Sequence, residues 1–239
     1  MHVSERYREA WEGYWRGTAD TQGEAIWDVD PSLAAAPHCA LLLPYADASL
    51  PVVDLGCGNG TQTRYLATRF ARATGVDLSH AAIAHARHAD PAGRAEFEQL
   101  DLVDRAAVRE LGGRLGDSNV YMRAVIHQSE PQDRPQVAAA VAELLGERGR
   151  AFVVELTSAA KDVLRQAAQR SGGPPEKLRR VFEHGLKPAG AEDEETPALL
   201  RAAGLTILAD GDTGLAQTER MPDGTLLELP ARWYVLARA

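Results

Sequence analysis

Short apolar runs recur along the chain and alternate with stretches whose apolar positions repeat at helical spacing. Runs at residues 52–55, 73–77, 95–100, 119–123 and 151–156 predict five strands, the first of them short, apolar and β-branched at Val52 and Val53. Between them, residues 62–71, 80–88, 105–111 and 134–145 predict helices. The last of these carries Val137, Val141, Leu144 and Leu145 on one stripe and stops at Gly146, a common helix end. Strand followed by helix, repeated from 51 to 160, predicts an α/β fold with a doubly wound parallel sheet. Runs at 205–209 and 233–237 add two more strands.

Three segments fall outside that pattern. Residues 1–50 precede the first strand and carry Trp11, Trp15 and Trp27. Residues 157–191 predict two short helices split by Ser171, Gly172, Gly173, Pro174 and Pro175. Residues 212–230 predict a long connection with a turn at Met221, Pro222, Asp223 and Gly224. Long connections in α/β domains are often lids or binding loops, so these three are expected to build a pocket above the strand ends. With 239 residues, the chain is expected to be a single domain, 1–239, with 1–50 as a helical cap and 157–191 as an inserted lid.

The candidate chemistry lies where the first strand ends. Val52, Val53, Asp54 and Leu55 lead into Gly56, Cys57, Gly58, Asn59 and Gly60, a glycine-rich turn opening a helix. Glycines there let backbone approach a ligand where any Cβ would collide. A dinucleotide fingerprint places its third glycine three positions after the second; here it is two. Asp54, before the turn, repels a pyrophosphate and suits a cation such as an ammonium group. The string Asp-Leu-Gly-Cys-Gly-Asn-Gly resembles motif I of class I S-adenosylmethionine (SAM) dependent methyltransferases.

That resemblance implies a Rossmann-like seven-stranded sheet with an antiparallel last strand, and SAM as cofactor with S-adenosylhomocysteine (SAH) as product. It implies that Asp54 and residues Gly56, Cys57, Gly58, Asn59 and Gly60 wrap the methionine end. Asp77 and Leu78, at the second strand end, take the ribose side. Asp101 and Leu102, after the third strand, meet the adenine amino group and ring. Separately, Asp77 and Asp101 also suit the capping of following helices, a common duty of aspartate.

SAM carries an already activated methyl group, so transfer needs mainly alignment, with a general base when the acceptor is a hydroxyl. His127, a few residues beyond the fourth strand, matches the position where small-molecule members of the family often carry a histidine. It is the candidate base, or else a residue that holds the loop below SAM. The segment lacks the Asn-Pro-Pro-Tyr or Asp-Pro-Pro-Tyr signature of amino-directed nucleic-acid members. Arg123 is a candidate for the SAM carboxylate, for an acidic acceptor, or for a structural ion pair. Tyr7, Trp11, Tyr14 and Trp15 recur at helical spacing, as a packed helix or as an aromatic lid. With Trp27 and His127, Tyr14 and Trp15 are candidate pocket residues. Trp11 to Trp15 and Ile26 to Asp28 also resemble, over a short stretch, the N-terminal region of thiol and halide methyltransferases.

Composition narrows the partners. A formal net charge of −8, with no cluster of Lys and Arg, argues against a nucleic-acid substrate. The two cysteines, Cys39 and Cys57, are expected as free thiols in a reducing cytoplasm. No apolar run reaches the roughly 18 residues of a membrane span. The acidic run at 191–195 favours the start of a helix near Thr196 over a metal site, and His80, His85 and His88 have no zinc-ligand spacing. Many Ala and Arg with only three lysines suggest a GC-rich bacterial genome. The expected function is SAM-dependent methyl transfer to a small molecule, first a hydroxyl of a specialised-metabolism intermediate. Sulfur or nitrogen acceptors, or non-methylating chemistry in the same pocket, are the alternatives.

Overall fold

Val53 and Leu55 point to one side of the first strand and Val52 to the other, and both sides are closed to solvent. The same holds for Val120, Met122 and Val153 against Tyr121, Phe152 and Val154, as expected of strands covered on both faces. The computed structural model describes residues 2–169, 173–186, 192–221 and 224–239. Its strands are β1 (Val52–Leu55), β2 (Ala73–Asp77), β3 (Glu96–Gln99), β4 (Asn119–Arg123), β5 (Ala151–Leu156), β6 (Leu205–Arg220) and β7 (Leu226–Arg238). They form a seven-stranded sheet in the order β3-β2-β1-β4-β5-β7-β6. β7 runs antiparallel to both β5 and β6, and the other pairings are parallel.

The helices are α1 (Glu5–Arg16), α2 (Ala35–Leu42), α3 (Thr61–Leu66), α4 (His80–His88), α5 (Arg105–Leu115), α6 (Arg134–Leu145), α7 (Ala160–Ala168), α8 (Glu176–Glu183) and α9 (Glu195–Ala202). α5, α6 and α9 pack on the Val53 face, and α2 and α3 on the Val52 face. The chain turns outward from β1 through β2 to β3, then returns to place β4 on the other side of β1. Ligands of such sheets bind at that switch point, beyond the strand C-termini.

The core strands and helices fall where the sequence puts them, with ends shifted by a few residues. The last two strands do not. They were expected at 205–209 and 233–237, with a connection over 212–230. Instead β6 and β7 are 16 and 13 residues long and pair from Leu205 with Arg238 to Arg220 with Leu226. Asp210, Gly211, Asp212 and Gly214 make the segment look like a loop in sequence. In the fold, the partner strand satisfies its backbone groups, and Gly211 has no side chain because the Trp233 ring lies where one would go, 2.9 Å from an ideal Cβ. Pro222 and Asp223, in the expected turn, lie outside the described residues, as do 170–172 and 187–191 of the expected lid. The rest of that segment supplies α7 and α8. α9 begins at Glu195, with Asp193 bonded to Ser158 and Glu195 to Arg134, so the acidic run starts a helix.

α4 and α5 are capped by Ser79 and Asp104, whose side chains accept from Ala82 and Ala106 backbone N–H groups. Asp77 and Asp101 are therefore not the helix caps. Cys39 and Cys57 are free and buried. Among the described residues, no helix is long and apolar enough to cross a membrane.

Candidate active site

The turn after β1 is built for close approach. Gly56 and Gly58 have φ of +72° and +55°, the left-handed region that side chains avoid. A Cβ at Gly56 would stand 2.7 Å from Val125, and one at Gly58 would stand 2.7 Å from the Trp15 ring. The loop is thus walled by the post-β4 segment on one side and by α1 on the other. Gly60, at φ +73°, instead faces Phe97 and Ala86. It lets α3 pack closely and does not line the cavity, which corrects its expected contact with cofactor. Cys57 packs with Ile83, Ala86 and Phe97 and, unlike Gly60, also lines the cavity.

Asp77 lies at the C-terminal end of β2. Its Oδ2 accepts the Gly58 N–H at 2.9 Å and its Oδ1 the Ser79 N–H at 2.9 Å. The carboxylate therefore ties the glycine loop to the next strand end and keeps lone pairs facing the cavity it lines. Burial pushes its pKa up to about 6 despite these hydrogen bonds. Asp54 is buried and accepts the Thr63 hydroxyl at 2.6 Å, and burial pushes its pKa up to about 7. Arg123, at the end of β4, donates to the carbonyls of Trp27 at 2.9 Å and Ala216 at 3.4 Å, and burial lowers its pKa.

At the expected adenine end, Leu78, Leu102 and Val103 line the cavity. Asp101 is already engaged. Its Oδ2 accepts the Val3 N–H at 3.1 Å and the Arg8 guanidinium at 3.0 Å, and its Oδ1 accepts the Val103 N–H. An adenine amino group at this carboxylate would share it with the N-terminal segment. Arg8 was not singled out in the sequence, because nothing local distinguishes it from the other arginines of α1.

α1 closes over the site through a second carboxylate. Glu12 accepts the Ser79 hydroxyl at 2.7 Å and the Ala81 N–H at 3.2 Å. Trp27 packs edge-on against Trp11 and Trp15, with ring centroids 5.6 and 6.2 Å apart, and all three line the cavity, as does Tyr7. Tyr14 does not. It is fully buried behind Trp27, at 4.9 Å between centroids, in a cluster with Leu178 and Val181. Its expected pocket role is replaced by packing, because helical spacing alone does not say which side of α1 meets α8.

His127 forms the cavity wall below this aromatic roof. It is 2% exposed, and its Nδ1 lies 2.7 Å from Glu155 Oε2. Glu155, at the end of β5, also accepts the backbone N–H groups of Val125, Ile126 and His127 at 2.8, 2.8 and 3.1 Å. Glu155 is the acceptor for three backbone N–H groups, and the same role toward the ring assigns the imidazole proton to Nδ1 and leaves Nε2 as an acceptor. Nε2 has no hydrogen-bond partner among the described residues. Ala124, whose N–H donates to the Val154 carbonyl just before the clamp, has φ +61°, where a non-glycine residue is strained. Glu155 was missed in the sequence. Its one signal is a carboxylate ending an otherwise apolar strand.

A glycine cradle beyond β1, a carboxylate at the next strand end and a switch-point pocket define a Rossmann-like nucleoside-binding enzyme. Comparison with known proteins makes the class specific. Residues 52–149 match the family described as methyltransferase domain. A SAM-dependent methyltransferase from Anabaena variabilis ATCC 29413 superposes with a TM-score of 0.90 at 27% identity, covering 100% of this chain and 98% of that one. Magnesium protoporphyrin IX methyltransferase from Synechocystis PCC 6803, with bound SAM, shares the fold, with a TM-score of 0.62 at 15% identity and both chains covered in full. Trans-aconitate 2-methyltransferase from Paracidovorax citrulli (strain AAC00-1) is 53% identical over 57 residues. That match spans 23% of this chain and 21% of that enzyme.

Residues 52–149 are therefore a methyltransferase domain of the class I, SAM-dependent type, and SAM is the cofactor that the domain takes. The site fits it: Gly56 and Gly58 bring bare backbone to the wall of the cavity, and Asp77 lines the same space.

Proposed function

We propose that the whole chain transfers the methyl group of SAM to a hydroxyl of a small, largely apolar molecule, of the kind made in specialised metabolism. The observation that carries this is the buried His127–Glu155 pair in the wall of an aromatic cavity. SAM, when bound, supplies a methyl group on a positively charged sulfur that leaves as a neutral thioether. His127 Nε2 then accepts the hydroxyl proton as the new carbon–oxygen bond forms, and the Glu155 carboxylate stabilises the imidazolium. Trp11, Trp27, Leu164, Leu178 and Leu229 exclude water and hold the acceptor by apolar contact, since all five line the cavity. In this reading the 239 residues act as one unit, with 1–50 as the cap and α7 and α8 as the lid. The acidic net charge and two free thiols support small-molecule work in a reducing cytoplasm.

The test is release of SAH from SAM by purified protein against matched panels of phenols, alcohols, thiols and amines. Turnover confined to hydroxyl acceptors supports the reading. Turnover of thiols or amines with no hydroxyl activity overturns the choice of acceptor atom.

A further inference from the structure

The β6–β7 hairpin overhangs the cavity. β5 pairs with β7 only as far as Leu156 with Ala231, and Thr213 of β6 faces that same Ala231. Beyond this point the hairpin continues alone past the C-terminal end of β5, and from there Leu215, Gln217 and Leu229 line the cavity. The Thr218 N–H donates to the Ile26 carbonyl at 2.7 Å, which seats the overhang against the cap beside Trp27. The glycine loop and Asp77 follow β1 and β2, so the cofactor takes that side of the sheet and the overhang faces the acceptor.

Three polar side chains near the overhang are spent within the protein. Gln62 accepts the Ala35 N–H at 3.1 Å and donates to the Val29 carbonyl at 2.8 Å. Arg123 donates to the carbonyls of Trp27 and Ala216, and its Nε is closed off. Asp28 accepts from Gly23 and Asn59 on Oδ2, and its Oδ1 is closed off too. Gln217 differs. It is 5% exposed, and its Nε2 donates to the Leu215 carbonyl at 2.9 Å. Only the amide nitrogen can donate to a carbonyl, so this contact fixes which end is which. Oε1 then accepts nothing from the described residues, and unlike Asp28 Oδ1 and Arg123 Nε it stays open on the cavity side. Its neighbours in the wall, Leu215 and Leu229, pair across the two strands and are apolar. An acceptor oxygen left unmet among apolar groups costs free energy, and a ligand with a donor at that place recovers it.

We propose that Gln217 selects the acceptor by taking a hydrogen bond from a second hydroxyl or N–H group on it, apart from the hydroxyl that is methylated. This rests on the hydroxyl-transfer reading and deepens it. The acceptor is then a small, largely apolar molecule with two donor groups, one reaching His127 and the other the hairpin. A consequence follows for the product of a diol. It can offer its remaining hydroxyl to His127 only by turning a methyl ether toward Gln217, which then meets no donor, so transfer stops after one methyl group.

The probes are naphthalenediols, the methoxynaphthols that carry a methyl ether in place of one hydroxyl, and the naphthols. Each is titrated into protein saturated with SAH and, separately, turned over with SAM. On the unaltered protein, a diol should bind and turn over about tenfold better than its methoxynaphthol and naphthol counterparts, the ordinary effect of one buried hydrogen bond. It should also stop at the monomethyl ether. Gln217→Met, close in length but without the oxygen, should bring the ratio of diol to methoxynaphthol within about twofold and let the second methyl group be added. A ratio near one on the unaltered protein overturns the assignment. So does Gln217→Met if it weakens the diol and its counterparts equally, which marks a structural role. Should that variant fail to bind SAH, Gln217→Leu takes its place, and a diol preference that survives on it overturns the assignment. Preferential binding of a diol with no methyl transfer to any hydroxyl overturns the hydroxyl-transfer reading and leaves the Gln217 contact standing. No binding by any of these probes overturns both.

Discussion

His127 and Glu155 lie 28 positions apart in sequence and share one short hydrogen bond in the fold. His127→Gln should lower turnover by about 10²- to 10⁴-fold, the ordinary contribution of a general base. Its SAH affinity should stay within about threefold, and an equal fall in SAH binding would make it a scaffold residue instead. Asp77→Asn should weaken SAM binding by on the order of tenfold or more, because the amide replaces a charged acceptor and disturbs the Gly58 N–H contact. The pKa of Asp77 is raised to about 6 and that of Asp54 to about 7, both above the ordinary carboxyl value of 3.8. A sulfonium and an ammonium favour the ionised carboxylates. SAM affinity should therefore rise as pH rises from about 5 to 8, and binding should release protons, read as a dependence of calorimetric heat on buffer ionisation enthalpy. Asp54 and Asp77 are legible in sequence because each ends a strand that its own residues predict. Glu155 and Arg8 are not, because their partners lie on elements whose position relative to them is set only by folding.

The glycine loop and α1 form one structural unit although residues 17–55 separate them in the chain. A Cβ at Gly58 meets the Trp15 ring, and backbone there is in the left-handed region. Gly58→Ala should therefore push α1 off the loop and strain the turn, destabilising the fold by about 1–3 kcal/mol. Tryptophan emission should shift as Trp15 leaves its buried place, and unchanged emission would mean that the cap does not rest on the loop. The β6–β7 hairpin shows where local reading fails at this level. Its Gly and Asp residues satisfy every compositional rule for a loop, and only pairing with a partner strand makes them extended. Even so, the expectation that this segment borders the pocket holds in part, since Leu215, Gln217 and Leu229 line it.

Stability should carry the mark of the buried site. A carboxyl whose folded pKa is raised binds its proton more tightly folded than unfolded, so it destabilises increasingly as pH rises from about 4 to 7. His38 acts in the opposite sense: burial drops its pKa to about 3, so falling pH below about 6.5 favours the unfolded chain. The two effects overlap, and Asp54→Asn separates them. Without ligand, the variant should gain stability relative to the unaltered protein as pH goes from 4 to 7.5, by up to a few kcal/mol. A difference that is flat with pH would show that Asp54 does not titrate in this window.

Hydrophobic alternation by itself determined the β/α core, because strands covered on both faces must be apolar throughout and the helices between them must present one stripe. The glycine spacing and the acidic strand ends determined the cofactor class, since both requirements are local and steric. The tertiary structure alone decided which side of α1 meets the cavity, that the last two strands form a long hairpin, and that Asp28, Arg123 and His127, the last held by Glu155, converge on one pocket. Those outcomes depend on contacts between distant segments, where a side chain's partner is set by packing of whole elements and leaves no periodic trace in the chain.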